Sequence, residues 1–200
     1  MPVDFGYSDS YFAAVHGLNG PALREAGVVA DDPTNRFSFR SNNGVNAHYF
    51  LLAPDQLFLR VSLFDALTDG EDDLDLYLYY CPTLTTCTEV GQSGSFTSEE
   101  EIDLITPAPG LYTALVHGFQ TDEASGGAGS NYEILGWSLG YDDDQGNLTI
   151  DTPTAVTTGQ RLDFPYSFGP LDPDTIYLGA VSHDTPFDIF FLSLITANTP

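Results

Sequence analysis

The chain has 200 residues, 42% hydrophobic and 13% aromatic, which is enough apolar matter for a buried core and too much for a disordered tail. It sets 29 acidic residues against five basic ones, giving a formal net charge of −24, and all five basic residues are arginines. Such a surface repels nucleic-acid phosphates and anionic lipid, and it suits divalent cations, cationic partners or a salty medium that screens self-repulsion.

The opening "MPVDFGYSDSYF" has no basic start leading into an apolar stretch, so no signal peptide is read there, and the chain is expected to be a piece of a longer product. No run approaches the roughly 18 uninterrupted apolar residues of a membrane span. In chain order, "SYFAAVHGL" reads as a strand, and "GPALREAGVVA" is the one hint of a helical turn. "FLRVSLF" and the leucine before it place Leu57, Leu59, Val61 and Leu63 on one face, against Phe58, Arg60, Ser62 and Phe64 on the other. "DLDLYLY" repeats the rule, with Leu74, Leu76 and Leu78 inward and Asp73, Asp75, Tyr77 and Tyr79 outward.

The two cysteines follow in "YCPTLTTCTE", at what reads as a hairpin tip. Two thiols are too few for a four-ligand zinc site, so a Cys81–Cys87 disulfide and an extracellular setting are expected. "GLYTALVHGF" is the next strand, announced by Pro107, Pro109 and Gly110, with His117 on its Leu111/Leu115 face as a packed histidine. "NYEILGWSL" shifts its apolar phase between Ile134 and Leu135, which predicts a bulge at Gly136. The charged "GYDDDQGN" reads as a break before "NLTID", "RLDFPYSF", "TIYLGAVS" and "DIFFLSLI".

Short strands with turn signals at about ten-residue spacing predict an all-β fold of two β-sandwich modules, jelly-roll or immunoglobulin-like. The tail after the break is short of the roughly seven strands such a sandwich uses. The N-terminal strand is therefore expected to complete it: residues 1–30 plus 143–200 form one module, interrupted by a second at 31–142.

Candidate chemistry is sparse. No G-x-S-x-G elbow occurs, and His183 beside Asp184 in "SHDTP" reads as a turn residue, so no Ser–His–Asp frame is recognised and no catalytic residue is assigned. "TDGEDDLD" gathers Asp69, Glu71, Asp72, Asp73 and Asp75 around the turn-forming Gly70. Carboxylates so grouped suit calcium, a hard cation taking oxygen ligands, and equally suit a solvated edge that blocks strand aggregation. Tyr77, Tyr79 and Trp137 are candidates for an aromatic surface that takes a sugar or an extended polypeptide, or that merely covers a module interface.

"LRVSLFDALTDGEDDLDLYLYYC", with "PGLYTALVHGF" and "NYEILGWSL", resembles the bacterial pre-peptidase C-terminal domain, a β-sandwich appended to secreted peptidases. "NLTIDTPTAVTTGQRLDFPYSFGPLDPDTIYLGAVSH" is similar to the immunoglobulin- or fibronectin type III-like tail of secreted subtilisin-like serine peptidases, and "GYSDSYFAAVHGL" to the strand preceding the inserted module. The catalytic segments of those peptidases, including the serine-bearing G-T-S-M-A-x-P helix, do not occur here. The resemblance implies a secreted, non-catalytic region that aids attachment to protein substrate, or secretion and maturation, with the substrate or the parent catalytic domain as partner. A carbohydrate-binding or adhesive module is the alternative.

Overall fold

The computed structural model describes residues 2–40, 43–69, 72–83, 85–121, 129–184 and 189–200. The strands are Pro2–Asp4 (β1), Asp9–Ser10 (β2), Phe12–Asn19 (β3), Leu23–Val29 (β4), Val45–Leu52 (β5) and Gln56–Thr68 (β6). Then come Asp73–Thr83 (β7), Thr86–Ser93 (β8), Glu100–Ile105 (β9), Gly110–Gln120 (β10) and Ser130–Gly140 (β11). The last are Leu148–Ile150 (β12), Ala155–Val156 (β13), Arg161–Asp163 (β14), Tyr166–Phe168 (β15), Ile176–Asp184 (β16) and Ile189–Asn198 (β17). No helix occurs among the described residues, and the fold is all-β, with antiparallel sheets packed as sandwiches. Two compact units result: Met1–Pro21 with Leu139–Pro200, and Ala22–Ser138.

The Ala22–Ser138 unit has two four-stranded sheets, ordered β5-β10-β7-β8 and β4-β11-β6-β9. Leu74, Leu76 and Leu78 of β7, with Ala114 and Val116 of β10, share one core with Leu59, Val61 and Leu63 of β6 and Ile134 of β11. Burying one such side chain contributes about 1.5–3 kcal/mol, so a one-residue slip that turned each strand over would cost the unit its core.

The expected helical turn is instead β4, paired with β11, and its Leu23 and Val29 enter the same core. A Cβ at Gly27 would collide with the Tyr132 ring, which is why this alanine-rich segment carries a glycine midway. The boundaries therefore fall between residues 21 and 22 and between 138 and 139, not between 30 and 31 and between 142 and 143. The register of β11 against β4 runs unbroken to Gly136, so no bulge separates these two strands. The shift in apolar phase has another cause: Ile134, Leu135 and Trp137 are all buried, so both faces of β11 are covered there.

In the other unit, β3 pairs with β16, and β16 with β17. Short pairings join β1 to β14, β2 to β13, and β12 to β15. Phe5, Tyr11 and Phe164 form an aromatic core, with Tyr11 stacked on Phe164 at 5.7 Å and Phe5 edge-on to Tyr11 at 5.2 Å. The charged segment 140–147 is built into this unit: Asn147 accepts from the Leu18 backbone N at 2.7 Å and donates to the Leu18 carbonyl at 3.0 Å.

Candidate functional site

The outer face of sheet β5-β10-β7-β8 is assembled by register. Antiparallel pairing aligns Val45 with His117 and Asp75, Ala47 with Leu115 and Tyr77, Tyr49 with Thr113 and Tyr79, and Leu51 with Leu111 and Cys81. Period two sends these side chains away from the leucine core and leaves a broad apolar surface that needs cover.

A strap, residues 31–40, supplies part of that cover. Asp32 is its anchor. One carboxylate oxygen accepts from the backbone N and hydroxyl of Thr34, both at 2.9 Å, and the other faces Nε2 of His117 at 3.1 Å. The Asp32 backbone N donates to the Gly118 carbonyl at 2.8 Å. Beyond the anchor, Phe37 stacks on Tyr77 with centroids 3.6 Å apart, and Phe39 lies against Tyr79 at 4.5 Å.

His117 is fully buried, and Nδ1 stands 3.1 Å from the Asp75 carboxylate while Nε2 faces Asp32. Burial opposes its positive charge, but hydrogen bonds to Asp75 and Asp32 outweigh burial and raise its pKa above the ordinary value. The Thr34 backbone N–H, against opposing burial and with help from His117, draws the Asp32 pKa down to about 2. Tyr77 is pushed up to about 12, chiefly by burial and then by Asp75.

Between the strap and the β7–β8 hairpin the face stays open as a groove of about 800 Å³. Val45, Ala47, Tyr49, Leu111 and Leu115 line its sheet side. Phe39 and Arg40 of the strap and the Cys81–Cys87 disulfide also border it. Tyr49 is 64% exposed and Leu51, at the end of the same row, 79% exposed. Arg24, Arg60 and Arg161 each pair with a carboxylate, whereas Arg36 and Arg40, both on the strap, make no ion pair among the described residues.

The acidic cluster read as a calcium candidate is dispersed among other partners. Asp69 accepts from the backbone N of Asn131 at 2.8 Å, Asp72 from the Ser130 hydroxyl at 2.5 Å, and Asp75 engages His117. Asp73 is half-buried, and burial followed by the Asp75 charge raises its pKa. Glu71 lies outside the described residues. Among the described residues, no three His, Cys, Asp or Glu side chains gather at metal-holding distance.

The aromatic candidates separate. Trp137 is 2% exposed on β11, in the opposite sheet, and it is removed from any surface platform because both faces of its strand are covered. Tyr79 is buried under Phe39 and donates to Glu89 at 2.8 Å, and Tyr77 is roofed by Phe37. Both point outward from the leucine core as expected, but the strap's Phe37 and Phe39 lie over them, so they do not form an open aromatic surface. Along the groove, Tyr49 and Phe39 are the exposed aromatic side chains instead. The alternation in "VNAHYFLL" marks Val45, Ala47, Tyr49 and Leu51 as one apolar row, and that signal was available in the sequence.

All four histidines are buried with both ring nitrogens engaged. His48 faces Glu25 at 2.6 Å and the Tyr132 hydroxyl at 2.7 Å. His183, expected in a turn, lies inside strand β16, one residue before its end, between the Tyr11 hydroxyl and Ser193, and burial lowers its pKa to about 4. His16 lies between the Gly140 carbonyl at 3.1 Å and Ser182 Oγ at 3.0 Å. Asp184 is 3.3 Å from that same Ser182 oxygen. A catalytic relay needs the carboxylate on the far nitrogen of the imidazole, where His16 has a backbone carbonyl. Ser182 and His16 are also only 1% and 2% exposed, so this is a buried hydrogen-bonded cluster.

No family model matches the chain, and no curated protein matches it. A solved structure of a Bacillus licheniformis lipase in its propeptide form is similar over 88% of this chain and 40% of that one, at 9% identity and a TM-score of 0.32. The chain thus spans less than half the length of that protein, and likeness at this level carries no argument.

Proposed function

We propose that this chain is a non-catalytic region of an exported subtilisin-like peptidase, serving to hold the enzyme on proteinaceous substrate. The observation that carries the reading is the apolar groove on the Ala22–Ser138 unit, bordered by the strap and floored by β5 and β10. An extended polypeptide offers alternate side chains to such a face, and exposed rows like Tyr49 and Leu51 are what a partner covers. The engagement of every histidine within the fold supports a presenting role over general-base chemistry. The disulfide supports export. A role in secretion or maturation of the parent enzyme would use the same face on a different polypeptide.

Retention on immobilised casein or collagen, compared with a panel of insoluble polysaccharides, tests this reading. Binding to the proteins, weakened by Tyr49→Ser and Leu51→Ser, is expected. Binding to polysaccharide alone would favour a carbohydrate module. Labelling by an activity-based serine-hydrolase probe would overturn the non-catalytic assignment.

A further inference from the structure

We propose that the groove beside Phe39 receives the C-terminal end of a polypeptide, its last apolar side chain lying against Tyr49 and Leu111 and its free carboxylate on Arg40. The groove volume of about 800 Å³ falls in the range of small-ligand sites and suits a chain end better than a folded surface. Arg40 is the one charged side chain among its described lining residues. In a chain of net charge −24, an anion is repelled at long range and needs a local cation to be held. A guanidinium without an ion pair among the described residues provides one, with a fork that matches a carboxylate.

The pairing of chemistries selects the occupant. An internal apolar residue offers its side chain but no charge of its own, while a terminal residue carries an apolar side chain and a carboxylate together. The inference rests on the attachment reading for its biological sense: hydrolysis of a peptide bond adds water and leaves a new carboxylate at every cut. A module that captures such ends would keep the enzyme on substrate it has already nicked.

Fluorescence anisotropy with a labelled peptide ending in a phenylalanine carboxylate, set against the same peptide as its C-terminal amide, tests the proposal. The amide should bind at least tenfold more weakly, Arg40→Gln should weaken the carboxylate peptide to the same degree, and Arg24→Gln should leave it unchanged. Melting curves of the variants check that each is folded. Equal binding of acid and amide, no effect of R40Q, or no binding at millimolar peptide would overturn the proposal. Arg40-dependent binding of decanoate without peptide binding would overturn the choice of occupant, as would self-association lost in R40Q. Peptide binding without retention on casein or collagen would remove the attachment reading and leave the groove assignment standing, and the converse would remove only the groove assignment.

Discussion

Nε2 of His117 stands 3.1 Å from Oδ2 of Asp32, a residue 85 positions away in the chain. With Asp75 on the other ring nitrogen, this contact ties the strap to the sheet it covers. Phe37 and Phe39 then lie over Tyr77 and Tyr79, and the groove acquires its wall.

Removing the imidazole leaves two buried carboxylates facing an empty space. His117→Ala is expected to destabilise the Ala22–Ser138 unit by about 3 kcal/mol, the scale of breaking a buried pair. Guanidinium unfolding followed by Trp137 fluorescence measures it, because Trp137 is the only tryptophan and lies in that unit.

Two histidines give the units opposite pH dependence. His117 has a raised pKa, so its stabilisation is whole below about 6.5 and is lost as pH rises through the folded value. His183 is depressed to about 4, so its contribution is whole above 6.5 and is lost as pH falls toward 4. Asp32, held near 2, adds stability that is present above 3.8 and lost as pH falls through the folded value. The Trp137-monitored midpoint should therefore fall on the alkaline side, and His117→Gln should flatten that limb. Between pH 6.5 and 4, proteolysis of the Leu139–Pro200 segment should accelerate, and His183→Phe should blunt the effect.

The strap should be separable from the core beneath it. Phe37→Ala removes the ring stacked on Tyr77 and is expected to cost about 1–2 kcal/mol, counting the aromatic pair and its buried area. New proteolytic cleavage within residues 31–40, under conditions where the rest of the unit stays folded, is the expected signature.

Reduction of Cys81–Cys87, or replacement of both by alanine, should lower stability by about 2 kcal/mol, as expected for a short closed loop. Because Cys81 and Cys87 both line the groove, peptide binding should weaken alongside the melting midpoint.

Calcium can be tested by melting the protein in millimolar calcium and in chelator at equal ionic strength. Asp69, Asp72 and Asp75 are already engaged by Asn131, Ser130 and His117, so little shift of the midpoint is expected. A rise of several degrees would mean that these carboxylates turn from their present partners to an ion.

Period-two alternation was enough to place Leu74, Leu76 and Leu78 in a core and to predict an all-β sandwich, because one strand face must leave water whatever surrounds it. The spacing of Cys81 and Cys87 likewise announced its own hairpin staple. What alternation cannot reveal is whether the second face is also covered. Tyr77, Tyr79 and Trp137 have outward parity or a shifted phase, yet the strap roofs the first two and Trp137 is buried on both sides of its strand. "DDPTNRFSFR" reads as a polar loop until Asp32 finds His117, and that meeting depends on strand order in the sheet, not on neighbouring residues. The same holds for the acidic run after Thr68: local sequence brings the carboxylates together, but partners from distant strands decide where each one points.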